Sequence, residues 1–209
     1  GVFYCLDALH GERRDRSILF WKSLPVSDLT TVLSKVTIPL VVLPLIGFAI
    51  VVCVQLIMVL ETGVVLIFHG MSPATTWAAV PFFQDWFVLL YALVALALWH
   101  APIYGWLLLV SGWARRATFL WAVLPLIAIG IFERITFGTS YFGTFVKHRL
   151  MGFGPGAFDF QGHSQPTIDS LAQLTPGRYL GSLGLWIGLV VAVGLIAAAV
   201  RLRRYRGPL

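Results

Sequence analysis

Four stretches of this chain run with no formal charge for about the length that crosses a lipid bilayer: 36–60, 86–114, 117–132 and 179–200. A hydrocarbon core of about 30 Å takes roughly 20 helical residues. Inside it every backbone N–H and C=O must be paired within the protein, which leaves helices or a closed barrel. Unbroken apolar runs of this length, rather than alternating ten-residue segments, predict helices. Composition agrees, with 58% hydrophobic and 11% charged residues and a mean hydropathy of +0.86, outside the range of water-soluble domains. The expected fold class is all-α: a polytopic helical membrane protein, one transmembrane domain over 1–209, with four complete transmembrane helices at 36–60, 86–114, 117–134 and 179–200. The chain opens on Gly-Val-Phe-Tyr-Cys-Leu, with no basic segment ahead of an apolar one. Residues 1–9 therefore read as the tail of a preceding span, and the whole as the C-terminal part of a longer protein.

The third of these runs is short, so Arg115, Arg116, Glu133 and Arg134 are expected at the two interfaces. A further uncharged run, 62–84, is broken up by Gly70, Ser72, Pro73 and Pro81. Its start, 64–68, is expected to prolong the first helix or lie along the interface. Trp77, Phe82, Phe83 and Trp86 suit the headgroup level. Residues 135–178, with glycine and proline clusters, read as an outer loop.

The basic residues set the orientation. With the opening loop inside, four spans return the tail to the same side. Arg13, Arg14, Arg16, Lys22, Lys35, Arg115, Arg116, Arg201, Arg203, Arg204 and Arg206 then lie inside, and Arg134, Lys147, Arg149 and Arg178 outside. Counting 62–84 as a fifth span would put the arginine-rich tail outside, and is rejected for that reason. The net charge of +6 is thus accounted for by topology, and no nucleic-acid partner is expected. Cys5 and Cys53 both sit in apolar sequence and read as buried small hydrophobes rather than a disulfide or a metal pair.

Polar residues in or near the spans are functional candidates by default. His100, before Ala-Pro in the second span, and His69 invite a haem or metal reading, and with it the rival function of a redox anchor. No Cys-x-x-Cys-His accompanies them, and a hydrogen-bonded packing histidine is the ordinary case. Glu133 and Arg134 can line an exit or form an interfacial ion pair with each other; the ion pair is favoured. His163, Asp159 and Asp169 lack metal-ligand spacing. Gly184 and Gly188 form a small-xxx-small pair that permits close helix approach, within the chain or between copies. None of the three lysines follows a glycine, so the phosphate-cradling Gly-Lys-Ser/Thr element is missing.

The most informative stretch is Gly11 to Lys35, GERRDRSILFWKSLPVSDLTTVLSK. Arg13, Arg14 and Arg16 interleave with Glu12 and Asp15, an apolar Ile-Leu-Phe-Trp follows, and Pro25 breaks the chain at Leu24. Ser27 or Asp28 can then cap a second helix. Two amphipathic pieces on a membrane face result. Their mixed charge favours docking of a protein partner over simple adhesion to anionic lipid; a passive scaffold that recruits a cytoplasmic partner is a further rival.

This stretch resembles the cytoplasmic loop of permeases from type-2 ABC exporters. The matching positions are Glu12, Arg13, Arg14 and Asp15, then Leu24, Pro25, Val26 and Ser27, then Lys35 before a span. The order that follows is similar too: spans, the largest outer loop before the last one, and a basic tail. The resemblance implies a coupling helix–turn–helix over 11–35, with Glu12, Arg13, Arg14, Asp15, Arg16, Trp21, Leu24, Pro25 and Asp28 contacting a nucleotide-binding ATPase subunit. It implies a second permease copy, membrane lipids around both, and a bacterial cytoplasmic membrane. ATP and Mg would be bound by the partner, with no cofactor and no catalysis in this chain. His100, Glu133 and Arg134 remain the possible pathway residues. The family pattern has six spans, two more than the complete ones here.

Overall fold

A computed structural model describes residues 1–79, 81–159, 168 and 171–205; the side chains of 75, 76 and 79 are not described. The described residues form twelve α-helices joined by short turns. Four helices are long and apolar enough to cross a membrane. Three short helices come first: α1 (Val2–Ala8), α2 (His10–Arg14) and α3 (Ser17–Ser23). Arg16 enters α3 with a left-handed backbone (φ 58°), a conformation that costs a non-glycine residue and makes a sharp corner between α2 and α3. Leu24 is extended, as the following proline requires, and Ser27 Oγ accepts from Thr30 N at 3.0 Å to cap α4 (Asp28–Thr37).

From Asp28 the chain stays helical through Phe68, so the second piece of the opening stretch is the base of the first spanning helix and not a separate short helix ending at Lys35. Between α4 and α5 (Leu43–Phe68) lies a π-helical turn at Ile38–Val42. Pro39 and Pro44 explain it: each lacks an N–H and crowds the carbonyl four residues back, and a widened turn relieves both. The 41 residues from Asp28 to Phe68 extend about 60 Å at 1.5 Å per residue. That is twice a hydrocarbon core, and residues 64–68 prolong the helix as the sequence suggested.

After α6 (Pro73–Ala79), α7 (Phe82–Trp113) is the central helix and α8 (Thr118–Phe137) returns beside it. Trp106 Nε1 donates to Ala122 O at 3.1 Å, tying the two. The region expected as an outer loop is largely helical: α9 (Tyr141–Met151), α10 (Gly154–Ala157), a 3₁₀ turn at Leu171–Gln173 and α11 (Pro176–Leu180). An isolated antiparallel bridge between Phe158 and Leu174 closes it. His163, Asp169 and Arg206 lie outside the described residues. The last helix, α12 (Leu183–Tyr205), starts four residues later than expected and carries Arg201, Arg203 and Arg204 inside its final turns.

The largest interface is between α7 and α12. The two helices approach closely at Gly105, where a Cβ would meet Ala192 O and Leu195 Cβ at 3.3 Å. Two buried clusters result. One, at the end carrying the opening loop, joins Cys5, Leu6, Val32, Leu107, Leu108 and Ala199; the other, at the far end, joins Val88, Ala95, Trp99, Phe158, Tyr179 and Leu185. In lipid, apolar burial gives little drive for helix association, so close packing and polar contacts carry it. Cys5 is buried as expected, but Cys53 is exposed on the outer face of α5, where lipid replaces the protein core.

Candidate functional site

The helix break between α1 and α2 at Leu9 frees two backbone donors. Leu9 N and His10 N both donate to Ser111 Oγ, at 3.0 and 2.9 Å. Ser111 is fully buried in α7, so this hydroxyl anchors the start of the opening stretch to the central helix. The next turn adds Arg13, only 5% exposed, whose Nη1 donates to Gly112 O at 2.9 Å and Ala114 O at 3.3 Å. These carbonyls end α7 and lack intrahelical partners. A guanidinium there satisfies them and complements the negative end of the helix dipole.

Glu12 turns to the other side. Its Oε1 lies 2.9 Å from Lys35 Nζ in α4, and its Oε2 lies 3.2 Å from Arg203 Nη2 in α12. Arg203 Nε also lies 3.5 Å from Asp28 Oδ1 at the start of α4. Two carboxylates and two cations from three helices thus form an electrically neutral quartet. The Arg203 side chain is 3% exposed and that of Glu12 10%. A charge this far from water persists only when paired, because desolvation costs several kcal/mol per ion.

Ile18 and Val32 of the opening stretch are buried, while most of its other residues around α3 face outward. Arg14 and Asp15 form an exposed pair at 3.1 Å, and the hydrogen bond from Arg14 to that carboxylate raises the guanidinium's pKa. Leu19, Phe20 and Trp21 on α3 are 56%, 61% and 41% exposed, and Phe20 and Trp21 meet edge to face. Arg16, Pro25 and Val26 are exposed beside them, with Leu24 partly buried. The resemblance implies that Glu12, Arg13 and Asp28 belong with these as surface contacts. Glu12 and Arg13 are instead committed to internal partners, and Asp28 is shared with Arg203. Arg203 itself was read only as a topology marker; its place at an i+3/i+4 distance from the apolar face of α12 was the signal available.

At the far end, α9 folds back against α7. Glu133 starts it: Thr139 Oγ1 and Tyr141 N donate to Oε1 at 2.8 and 2.7 Å, and Phe142 N to Oε2 at 2.8 Å. The expected ion pair between Glu133 and Arg134 does not form. Consecutive helical side chains diverge by about 100°, and the free N–H groups of α9 offer a carboxylate better partners. The other end of α9 reaches Trp99 and His100, roughly 20 Å along α7 from Trp113 at 1.5 Å per residue, which is less than a hydrocarbon thickness. Trp99 Nε1 donates to Arg149 O at 2.9 Å, and the Arg149 guanidinium lies over the Trp99 ring, 4.5 Å from its centroid. Arg149 Nη1 donates to Gly184 O at 3.1 Å. Gly188 leaves the room: any side chain there would collide with the guanidinium. The glycine pair expected to bring helices together therefore accommodates an arginine.

His100 contacts Leu96 O at 2.9 Å through Nδ1 and Leu150 O at 3.1 Å through Nε2. Each ring nitrogen faces a backbone carbonyl, and a neutral imidazole donates to one of the two, according to its tautomer. His69 Nδ1 lies 2.8 Å from Val65 O at the end of α5. Among the described residues no three His, Cys, Asp or Glu side chains are grouped as a metal-ligand set. An apolar groove of about 380 Å³ lies between α5, α7 and α12, lined by Leu40, Pro44, Leu93, Leu98 and Leu189 among others. Compared with known proteins, the chain matches no family model, no curated protein and no solved structure.

Proposed function

We propose that this chain is a membrane-spanning permease subunit of an ATP-binding-cassette exporter of the bacterial cytoplasmic membrane. In this reading it works with a second permease copy and moves a substrate with ATP hydrolysed by a separate subunit. The observation that carries the reading is the two-sided opening stretch. Its outer side offers Leu19, Phe20 and Trp21 beside Arg14, Asp15 and Arg16, while its inner side ties Glu12 and Arg13 to α4, α7 and α12. An apolar, mixed-charge face is what a protein partner needs, and a rigid inner attachment is what turns docking into movement of spans. A helix that merely lay on lipid would not require a buried ionic attachment. The resemblance of GERRDRSILFWKSLPVSDLTTVLSK to the loop of type-2 exporters supplies the nature of the partner.

The test is co-purification with the nucleotide-binding ATPase subunit that this reading expects. Trp21→Ala combined with Arg14→Glu and Arg16→Glu is expected to release the partner and leave the permease folded in the membrane. Unchanged recovery and unchanged ATP hydrolysis would reject the docking role. Arg13 is unsuited to this test, since its loss strands the end of α7. Orientation is checked separately, with single cysteines at Ser23 and Ser140 in a background lacking Cys5 and Cys53. A membrane-impermeant thiol reagent on intact cells is expected to reach position 140 and not 23.

A further inference from the structure

The exporter reading, on which this inference rests, makes the helix next to the opening loop in sequence the obvious lever: α4 and its continuation α5. The charged quartet reaches a second one. We propose that the Glu12–Arg203 contact makes α12 a driven element as well, so that displacement of α2 and α3 is delivered to the loop end of the last spanning helix.

Three observations lead there. Arg203 belongs to the continuous helix Leu183–Tyr205, so a pull on its side chain acts on a rigid rod of about 35 Å at 1.5 Å per residue. Its contacts, at 3.2 Å to Glu12 and 3.5 Å to Asp28, come from residues that flank α3 in the chain, one before it and one after. Arg203 is therefore the one side chain in the quartet that bridges both sides of the exposed docking helix. Thirdly, the two kinds of attachment respond differently to movement. Ser111 and Arg13 hold α2 to α7 through directional hydrogen bonds of 2.9–3.0 Å, which weaken steeply with angle. The contacts of Arg203 lack hydrogen-bond geometry at Nε, and attraction between charges falls only as the inverse of distance. As α2 tilts on α7, the ionic contacts stay engaged and carry α12 along. α7 is the pivot, and α4 and α12 are the moving members.

Charge balance provides a selective cut. Removing Arg203 alone leaves a buried excess of negative charge. Asp28→Asn with Arg203→Gln removes one charge of each sign, leaves the Glu12–Lys35 pair intact, and cuts the ionic link to α12 but not the one to α4. The experiment uses spin labels on the protein in nanodiscs, with Cys5 and Cys53 replaced by Ala. One label pair at Ser23 and Arg204 reports the loop against α12; a second at Arg204 and Thr118 reports α12 against α8; a third at Ser34 and Thr118 reports α4.

Without any partner, D28N/R203Q is expected to broaden the Ser23–Arg204 distance distribution. An unchanged width overturns the proposal whether or not an ATPase binds. With the ATPase and a non-hydrolysable ATP analogue, the wild-type Arg204–Thr118 and Ser34–Thr118 distances are both expected to shift. In D28N/R203Q the first shift is lost and the second retained. A nucleotide-dependent shift of α12 that survives the double substitution overturns the proposal. Failure of the ATPase to co-purify counts against the exporter reading alone and leaves the partner-free measurement to decide the linkage.

Discussion

Two arginines, Arg203 buried at the loop end and Arg149 partly buried at the far end, are held in opposite ways. Arg203 sits between two carboxylates, Glu12 and Asp28, in a neutral group of four charges. Arg149 lies on the face of Trp99, donates to the carbonyl of Gly184 and packs on Gly188. Among the described residues no carboxylate forms an ion pair with it. The first arrangement depends on charge and tolerates small shifts in geometry. The second depends on shape: a planar cation on a ring, with a carbonyl and a bare backbone beside it. The loop end is therefore built as a joint, and the far end as a fixed clamp.

The sharpest way to break this comparison is Arg203→Met. It strands two carboxylates with only Lys35 to balance them, and losing one partner of a buried pair costs about 3–5 kcal/mol. The variant is expected to melt far below wild type in a detergent thermal-shift assay. D28N/R203Q should recover most of the loss, since it restores neutrality; equal melting of the two variants would mean that charge is not what holds the joint.

Next in size is Gly188→Val. It pushes the Arg149 guanidinium off Trp99, forfeiting a stacked cation worth about 0.5–2 kcal/mol and a bond to Gly184 worth about 1 kcal/mol. Release of α9 should show as faster proteolysis or labelling at Ser140. Arg149→Lys sharpens the contrast, because it keeps the charge and loses the planar stack. A melting point well below wild type supports the clamp, and full stability would mean that the far end, too, is held by charge. The smallest effect on stability is expected for Arg14→Glu. Its pair with Asp15 is exposed at 60% and 61%, where solvent and salt screen the interaction. Its melting point should match wild type, while recovery of the ATPase falls.

Much of the architecture was legible in the residues themselves. Runs such as 36–60 and 179–200 become helices because lipid leaves the backbone no other way to pair its polar groups. The corner at Leu24–Ser27 follows from Pro25 and a capping hydroxyl, both local effects. Local chemistry also explains why Pro39 and Pro44 disturb the first span. The partners of the charged residues were not legible. Glu12 and Asp15 are three apart in one short polar passage, and nothing in the passage says that one faces Lys35 and Arg203 while the other faces solvent.

That division has a physical cause. Hydrophobic length, proline and capping act over a few residues, so the chain by itself determines four helices long and apolar enough to span a membrane, the break before α4 and the polar character of the opening stretch. Which side chains meet depends on where helices cross, and residues as far apart in sequence as Glu12 in α2 and Arg203 in α12 are brought together by packing on α7 and α4. Tertiary structure alone decided that Arg203 closes the charged quartet, that Glu133 caps α9 instead of pairing with Arg134, and that Gly188 makes room for Arg149.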